Sequence, residues 1–111
     1  AFNTLGRFIL IVENNGAIAN MQDDAMVEVV CELGINGPRP MRVGNIPQFY
    51  LGLLVQQVSS EKLLVDAYFE HSYQKAFEAF TLNRLINDAK EARKILDALI
   101  EANGDQWPEL K

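Results

Sequence analysis

Ile11-Val12-Glu13-Asn14-Asn15-Gly16-Ala17-Ile18-Ala19-Asn20-Met21-Gln22-Asp23-Asp24-Ala25-Met26-Val27-Glu28 is the stretch on which the fold turns. The five residues from Phe8 to Val12, which lead into it, form an uninterrupted apolar run between Arg7 and Glu13. Such a run suits a strand buried on both faces. Asn14-Asn15-Gly16 ends that strand with residues that tolerate positive φ. Residues 20–24 are polar and read as loop. From Met26 to Leu33 the pattern then alternates, with Val27, Val29 and Cys31 on one face and Glu28, Val30 and Glu32 on the other. That period of two marks a half-buried strand.

Outward from this pair, Gly34-Ile35-Asn36-Gly37-Pro38 breaks the second strand, and Met41-Arg42-Val43 is expected to return beside it. Pro38 and Pro40 have no ladder donor, so the return belongs at a sheet edge. Everything after Pro47 reads as helix, with Pro47 at a first helical position. Phe49, Leu53, Leu54 and Val58 form one apolar stripe. Ser59 or Ser60 is expected to cap the next helix, near Glu61, with Leu63, Leu64, Ala67 and Tyr68 on its apolar face. Tyr73, Ala76, Phe77 and Phe80 repeat the helical spacing. The last helix is expected to be capped by Asn87, lined by Ala89, Ala92, Ile95, Leu96, Leu99 and Ile100, and stopped at Asn103-Gly104. Strands first and helices afterwards predict an α+β fold, short antiparallel strands followed by a helical half. No repeat or linker divides residues 1–111, which read as one unit.

The net charge of −5 disfavours nucleic acid as a partner. Lys90, Arg93 and Lys94 alternate with Asp88, Glu91 and Asp97, as on a solvated helix face. A single cysteine makes no internal disulfide and fits a reducing, cytoplasmic setting. The run from Phe8 to Val12 is too short to cross a bilayer, and no signal peptide opens the chain. It begins Ala1-Phe2-Asn3-Thr4 without Met and enters a strand almost at once, as a piece of a larger protein would.

Few residues offer chemistry. Gly34 and Gly37 flank a turn, but no helix follows to receive a pyrophosphate, and no Walker-type loop is present. Cys31 and His71 lie on different elements and do not make a metal set; Cys31 reads as a small inward hydrophobe, and His71 as the close of a helix. Asp23, Asp24 and Glu28 are the densest carboxylates near a loop, and they suit local turns as well as acid–base work. Asn14 and Asn15 follow a buried strand at an end where sheets carry ligand contacts. Their amides suit sugar hydroxyls, and turn chemistry alone also accounts for them. Trp107-Pro108 offers either an aromatic sugar platform or a staple for the tail.

The wording of residues 11–28 resembles the C-terminal part of glycoside hydrolase family four, and within it the 6-phospho-α-glucosidases. The likeness extends to Val43-Gly44-Asn45-Ile46-Pro47-Gln48-Phe49, to Gln56-Gln57-Val58-Ser59 with Glu61-Lys62-Leu63, and to Glu101-Ala102-Asn103 through Trp107-Pro108-Glu109-Leu110. Val30 departs from relatives that carry Pro before the Cys. The resemblance implies the C-terminal domain of a lactate-dehydrogenase-like enzyme whose NAD-binding Rossmann domain lies upstream. It implies NAD and a divalent metal, manganese, as cofactors of the intact enzyme and none on this piece. The family's reaction is a redox-assisted elimination and addition rather than two-carboxylate hydrolysis. It further implies a phosphorylated disaccharide substrate and a homo-oligomer.

The family's metal-binding Cys and His and its catalytic Tyr belong to upstream motifs. Cys31, His71, Tyr50, Tyr68 and Tyr73 do not match them, so no catalytic residue is expected here. Asn14 and Asn15 are the expected substrate-proximal residues, and the piece alone is expected to be inactive. Two other readings are a free-standing helical interaction module, resting on the stripes of residues 73–80 and 89–100, and the substrate domain of an NAD-dependent hydroxy-acid dehydrogenase.

Overall fold

The computed structural model describes residues 6–111, which fall into two compact units meeting at Gly52 and Leu53. The first unit holds three strands, β1 (Gly6–Glu13), β2 (Met26–Gly34) and β3 (Gly37–Pro40), in the antiparallel order β1-β2-β3. The chain is α+β, as the succession of patterns predicts. β1 pairs with β2 from Gly6 opposite Leu33 to Glu13 opposite Met26, and this register puts Leu10 opposite Val29 and Phe8 opposite Cys31. Val27, Val29 and Cys31 are buried, Cys31 fully. The alternation read for β2 is therefore its real inner face.

Two details of the sheet differ from expectation. The hairpin closes through Ile35 and Asn36, with Gly37 at φ 89°, so the return strand runs four residues earlier than Met41–Val43. A two-residue connection with a glycine in the left-handed region outweighs the lack of N–H on Pro38 and Pro40. β1 is not covered on both sides: Phe8, Ile9 and Ile11 are each more than half exposed. An apolar run records a strand's own preference for burial, and within these residues nothing fulfils it.

Three helices follow: α1 (Gln48–Glu70), α2 (Tyr73–Leu82) and α3 (Ala89–Asn103), with a 3-10 turn at Gly104–Gln106. α1 crosses the position where a serine cap was expected and does not break. Ser59 Oγ donates back to the Val55 carbonyl (2.8 Å), and the buried Ser60 Oγ donates to the Ala79 carbonyl (2.8 Å). Serines bonded in this way serve the helix interior. Pro47 sits just before α1, its carbonyl accepting from Leu51 N (3.1 Å). Phe49 and Leu54 of the predicted stripe are exposed, because the less exposed side of α1 runs through Leu53, Gln56, Ser60, Leu63 and Ala67 instead.

α1 ends at His71, whose φ of 54° is left-handed, while Ser72 N donates to the Ala67 carbonyl (3.0 Å). This six-to-one bond is the Schellman arrangement, with an unusual histidine at the αL position. Ser72 then caps α2 by accepting from Lys75 N (3.3 Å). The cap of α3 is Asp88, which accepts from Glu91 N (2.8 Å); the expected Asn87 lies one residue outside and binds Glu91 Oε2 instead. Both candidates are good caps by chemistry, and only backbone geometry separates them. Ala67, Ala76 and Leu96 form the centre of the second unit's core, with Tyr73, Phe77, Phe80, Ile100 and Trp107 packed around it.

Candidate functional site

The loop after β1 is the most organised polar region of the chain. Asn14 has no exposed surface. Its Nδ2 donates to the carbonyls of Ile18 (3.0 Å), Gln22 (3.0 Å) and Met21 (3.3 Å), and its Oδ1 accepts from Ile18 N (2.7 Å). Its backbone N–H also donates to Ala25 O (2.8 Å), and its carbonyl accepts from Ala17 N (2.7 Å). A buried amide bonded in this way closes residues 14–25 into a loop with Ala17, Ile18, Met21 and Ala25 inside.

Asn15 differs from its neighbour. It is exposed, with φ at 41°, and its Nδ2 donates to Glu13 Oε2 (3.2 Å). Its backbone N–H donates to the Asp23 carbonyl (2.9 Å). Gly16 follows at φ 79°, and a Cβ there would lie 3.8 Å from Arg42 Nη1. The turn reading accounts for every polar group of Asn14. Direct contact between its amide and a sugar would require this network to open. Asn15 is the member of the pair that faces outward.

Asn20 was not singled out from sequence, although it lies in the same Asn-rich segment. Its Nδ2 donates to the Ile46 carbonyl and its Oδ1 accepts from Ile46 N, both at 3.0 Å. The side-chain amide thus imitates a strand neighbour. Beside it, Ala19 N donates to Gly44 O (2.9 Å) and Val43 N donates to Ala17 O (2.7 Å), around an Ile18–Gly44 bridge. The loop and residues 43–46 form one stitched surface.

The other candidates lie apart. Asp23, Asp24 and Glu28 are exposed. The Cys31 thiol is buried and donates to the Val29 carbonyl (3.6 Å). His71 Nδ1 donates to the Glu109 carbonyl (2.9 Å), the acceptor fixing where the hydrogen sits, and the His71 carbonyl accepts from Lys111 N (2.7 Å). Histidine and tail thus hold each other. Among the described residues no cluster of three His, Cys, Asp or Glu side chains could hold a metal ion.

Trp107 packs on the core of the second unit, as a staple does. With Tyr68, Phe69, His71 and Asp105 it also lines a cleft of about 360 Å³, and its buried Nε1 has no partner among the described residues. Elsewhere, Arg39 and Arg7 flank Glu32 (2.6 and 3.6 Å), and chiefly the Arg39 hydrogen bond holds the Glu32 carboxyl below its ordinary range. Tyr50 and Tyr68 are exposed, and the Tyr73 phenol donates to Asp97 Oδ1 (2.6 Å).

Comparison with known proteins gives this arrangement a context. The model of the family 4 glycosyl hydrolase C-terminal domain matches residues 1–86. The chain is similar to the maltose-6'-phosphate glucosidase of Fusobacterium mortiferum, 55% identical over 111 residues, covering 100% of this chain and 25% of that one. Against the enzyme of the same name from Bacillus subtilis it is 57% identical over 110 residues, 99% of this chain and 24% of that one.

Among solved structures, it is similar to a 6-phospho-alpha-glucosidase from gut microorganisms in complex with NAD and Mn2+, at TM-score 0.92 and 85% identity over 96% of this chain and 24% of that one. The 6-phospho-beta glucosidase of Thermotoga maritima with NAD and glucose-6-phosphate follows at TM-score 0.86 and 26% identity, over 98% of this chain and 27% of that one. The chain spans about a quarter of the length of the curated relatives it matches. The family model covers most of these residues, and the chain therefore belongs to the family 4 glycosyl hydrolases, as their C-terminal domain.

Proposed function

We propose that these residues are the C-terminal, substrate-domain part of an NAD- and manganese-dependent 6-phospho-α-glucosidase, which hydrolyses 6-phosphorylated α-glucosides in the cytoplasm. The observation that carries this reading is the identity of 45–57% with six curated relatives named maltose-6'-phosphate glucosidase or phospho-alpha-glucosidase over essentially the whole chain, against 40% over 96 residues with a probable 6-phospho-beta-glucosidase. All six stand above the beta-glucosidase along this domain, which favours the α-linked substrate. The family match also favours this reading over a helical interaction module or a hydroxy-acid dehydrogenase domain.

The residues described here do not fit either cofactor. No set of three metal ligands converges, Cys31 is sealed inside the sheet, and no glycine-rich turn joins a strand to a helix. NAD, metal and the redox-assisted chemistry belong to the remainder of the full-length enzyme. This part supplies shape: Asn14 and Asn20 hold the loop, and Asn15 faces outward at the substrate-proximal turn. The exposed apolar residues of α1, among them Phe49, Tyr50, Val65 and Phe69, suit the contacts of a homo-oligomer. No helix among the described residues is long and apolar enough to cross a membrane.

The test is hydrolysis of chromogenic 6-phospho-α- and 6-phospho-β-glucosides by the full-length protein with NAD and Mn2+. Cleavage of the α-anomer is the expected result, with none by the 111-residue chain alone. Preference for the β-anomer, or turnover by the short chain, would refute the reading.

A further inference from the structure

The sheet face opposite Val27, Val29 and Cys31 carries an exposed aliphatic cluster. The register sets Ile9 against Val30 and Ile11 against Glu28, with Met26 beside them on the same face. Ile9 is 66% exposed, Ile11 69%, Met26 55% and Val30 41%. An antiparallel sheet with one wet side carries polar residues on that side; here Ile9, Ile11 and Val30 gather around one carboxylate, Glu28. Apart from Glu28 opposite Ile11, charge lies at the margin, where Arg7, Glu32 and Arg39 pair at one end and Glu13 stands at the other. A largely apolar centre within a charged rim is the layout of a buried contact.

A strand this apolar, left open at a sheet edge, is an association hazard, so what covers it must be permanently present. The chain spans only about a quarter of its relatives, and its family is a C-terminal domain, so most of a full-length chain is available in tethered form. We propose that the face of Ile9, Ile11 and Val30 seats the amino-terminal portion of the same full-length polypeptide, and not a second copy. The proposal rests on the reading above that these residues are part of a longer enzyme.

The experiment uses the full-length holoenzyme carrying Ile9→Cys or Ile11→Cys. Ile35→Cys, at a hairpin position that is 81% exposed, serves as the open reference. Maleimide labelling is followed site by site by mass spectrometry, at protein concentrations above and below subunit dissociation. Positions 9 and 11 are expected to react at least about tenfold more slowly than position 35 at both concentrations, as for groups reached only through local opening.

Equal rates would overturn the proposal. Protection lost on dilution would overturn it too, by making a second copy the occupant. Should the variants misfold, Met26 is a native probe on the same face: in the unsubstituted full-length protein its oxidation by peroxide is expected to be much slower than in urea, and equal rates overturn the proposal. Hydrolysis of the 6-phosphoglucoside by the same preparation is read separately, so an inactive protein with protected positions counts against the enzyme assignment alone.

Discussion

Replacing Asn14 tests the loop directly, because its amide is buried and fully used. Asn14→Ala removes the bond from Ile18 N and the two full bonds that one NH2 group can make among three carbonyls. At about 1 kcal/mol net for each bond, the loss is about 3 kcal/mol, with the buried Ile18 N–H left unpartnered as its costliest part. Asn14→Asp is the sharper perturbation, since it keeps the shape and the acceptor but points a carboxylate oxygen at carbonyl oxygens.

Burial and those carbonyls favour the neutral acid, so the folded pKa of the new Asp lies above its unfolded value of about 3.9. A raised folded pKa gives stability that is present at low pH and lost as pH rises through the folded value. Urea unfolding of the chain at pH 3 and pH 7, each against wild type, is the assay. Hydrogen exchange at Ile18 N reports the loop locally. The Asp variant should lie closer to wild type than the Ala variant at pH 3, and fall below it at pH 7. An Ala variant within about 0.5 kcal/mol of wild type, the range of ordinary surface changes, would refute the reasoning. So would an Asp variant indifferent to pH.

Other outcomes follow from the second unit. Leu96→Ala, at a site with no exposed surface among Ala67, Ala76 and their aromatic neighbours, should cost about 2–5 kcal/mol in urea unfolding, and Leu96→Met under about 1.5. Asp88→Ala should cost about 1 kcal/mol and Asp88→Asn little, while Asn87→Ala should cost less than Asp88→Ala, because Asp88 is the cap. The Tyr73 phenol is held above its usual range chiefly by its hydrogen bond to Asp97, then by burial. That contribution is present below the unfolded tyrosine value of about 10 and is lost as pH rises through the folded one. Tyr73→Phe should therefore cost about 1 kcal/mol at pH 7 and flatten the alkaline limb of a stability–pH profile.

The order of elements, the inner face of β2 and the amphipathic α3 were all legible in the residues, because each is a periodic pattern imposed by local geometry. What escaped depends on partners distant in sequence. Ser59 and Ser60 look like caps until their hydroxyls are seen to bond carbonyls, one of them 19 residues away. Asn14 and Asn15 are the same residue type side by side, and no local rule says which one the loop will close over. Asn20 was unreadable for a related reason: its partner, Ile46, lies 26 positions on. β1 was read as fully covered, and its composition fits that state even though these residues leave it open.

The short β3 strand has a directional consequence. Two of its four residues are prolines, and Arg39 stands between them, so its outer margin offers few donors and a positive charge. No further strand can be hydrogen-bonded there in a regular ladder. Growth of the sheet, whether by a neighbouring segment or by misassembly during synthesis, is blocked on that flank and left possible only past β1. A single short element thus gives the sheet a polarity, one closed margin and one open one.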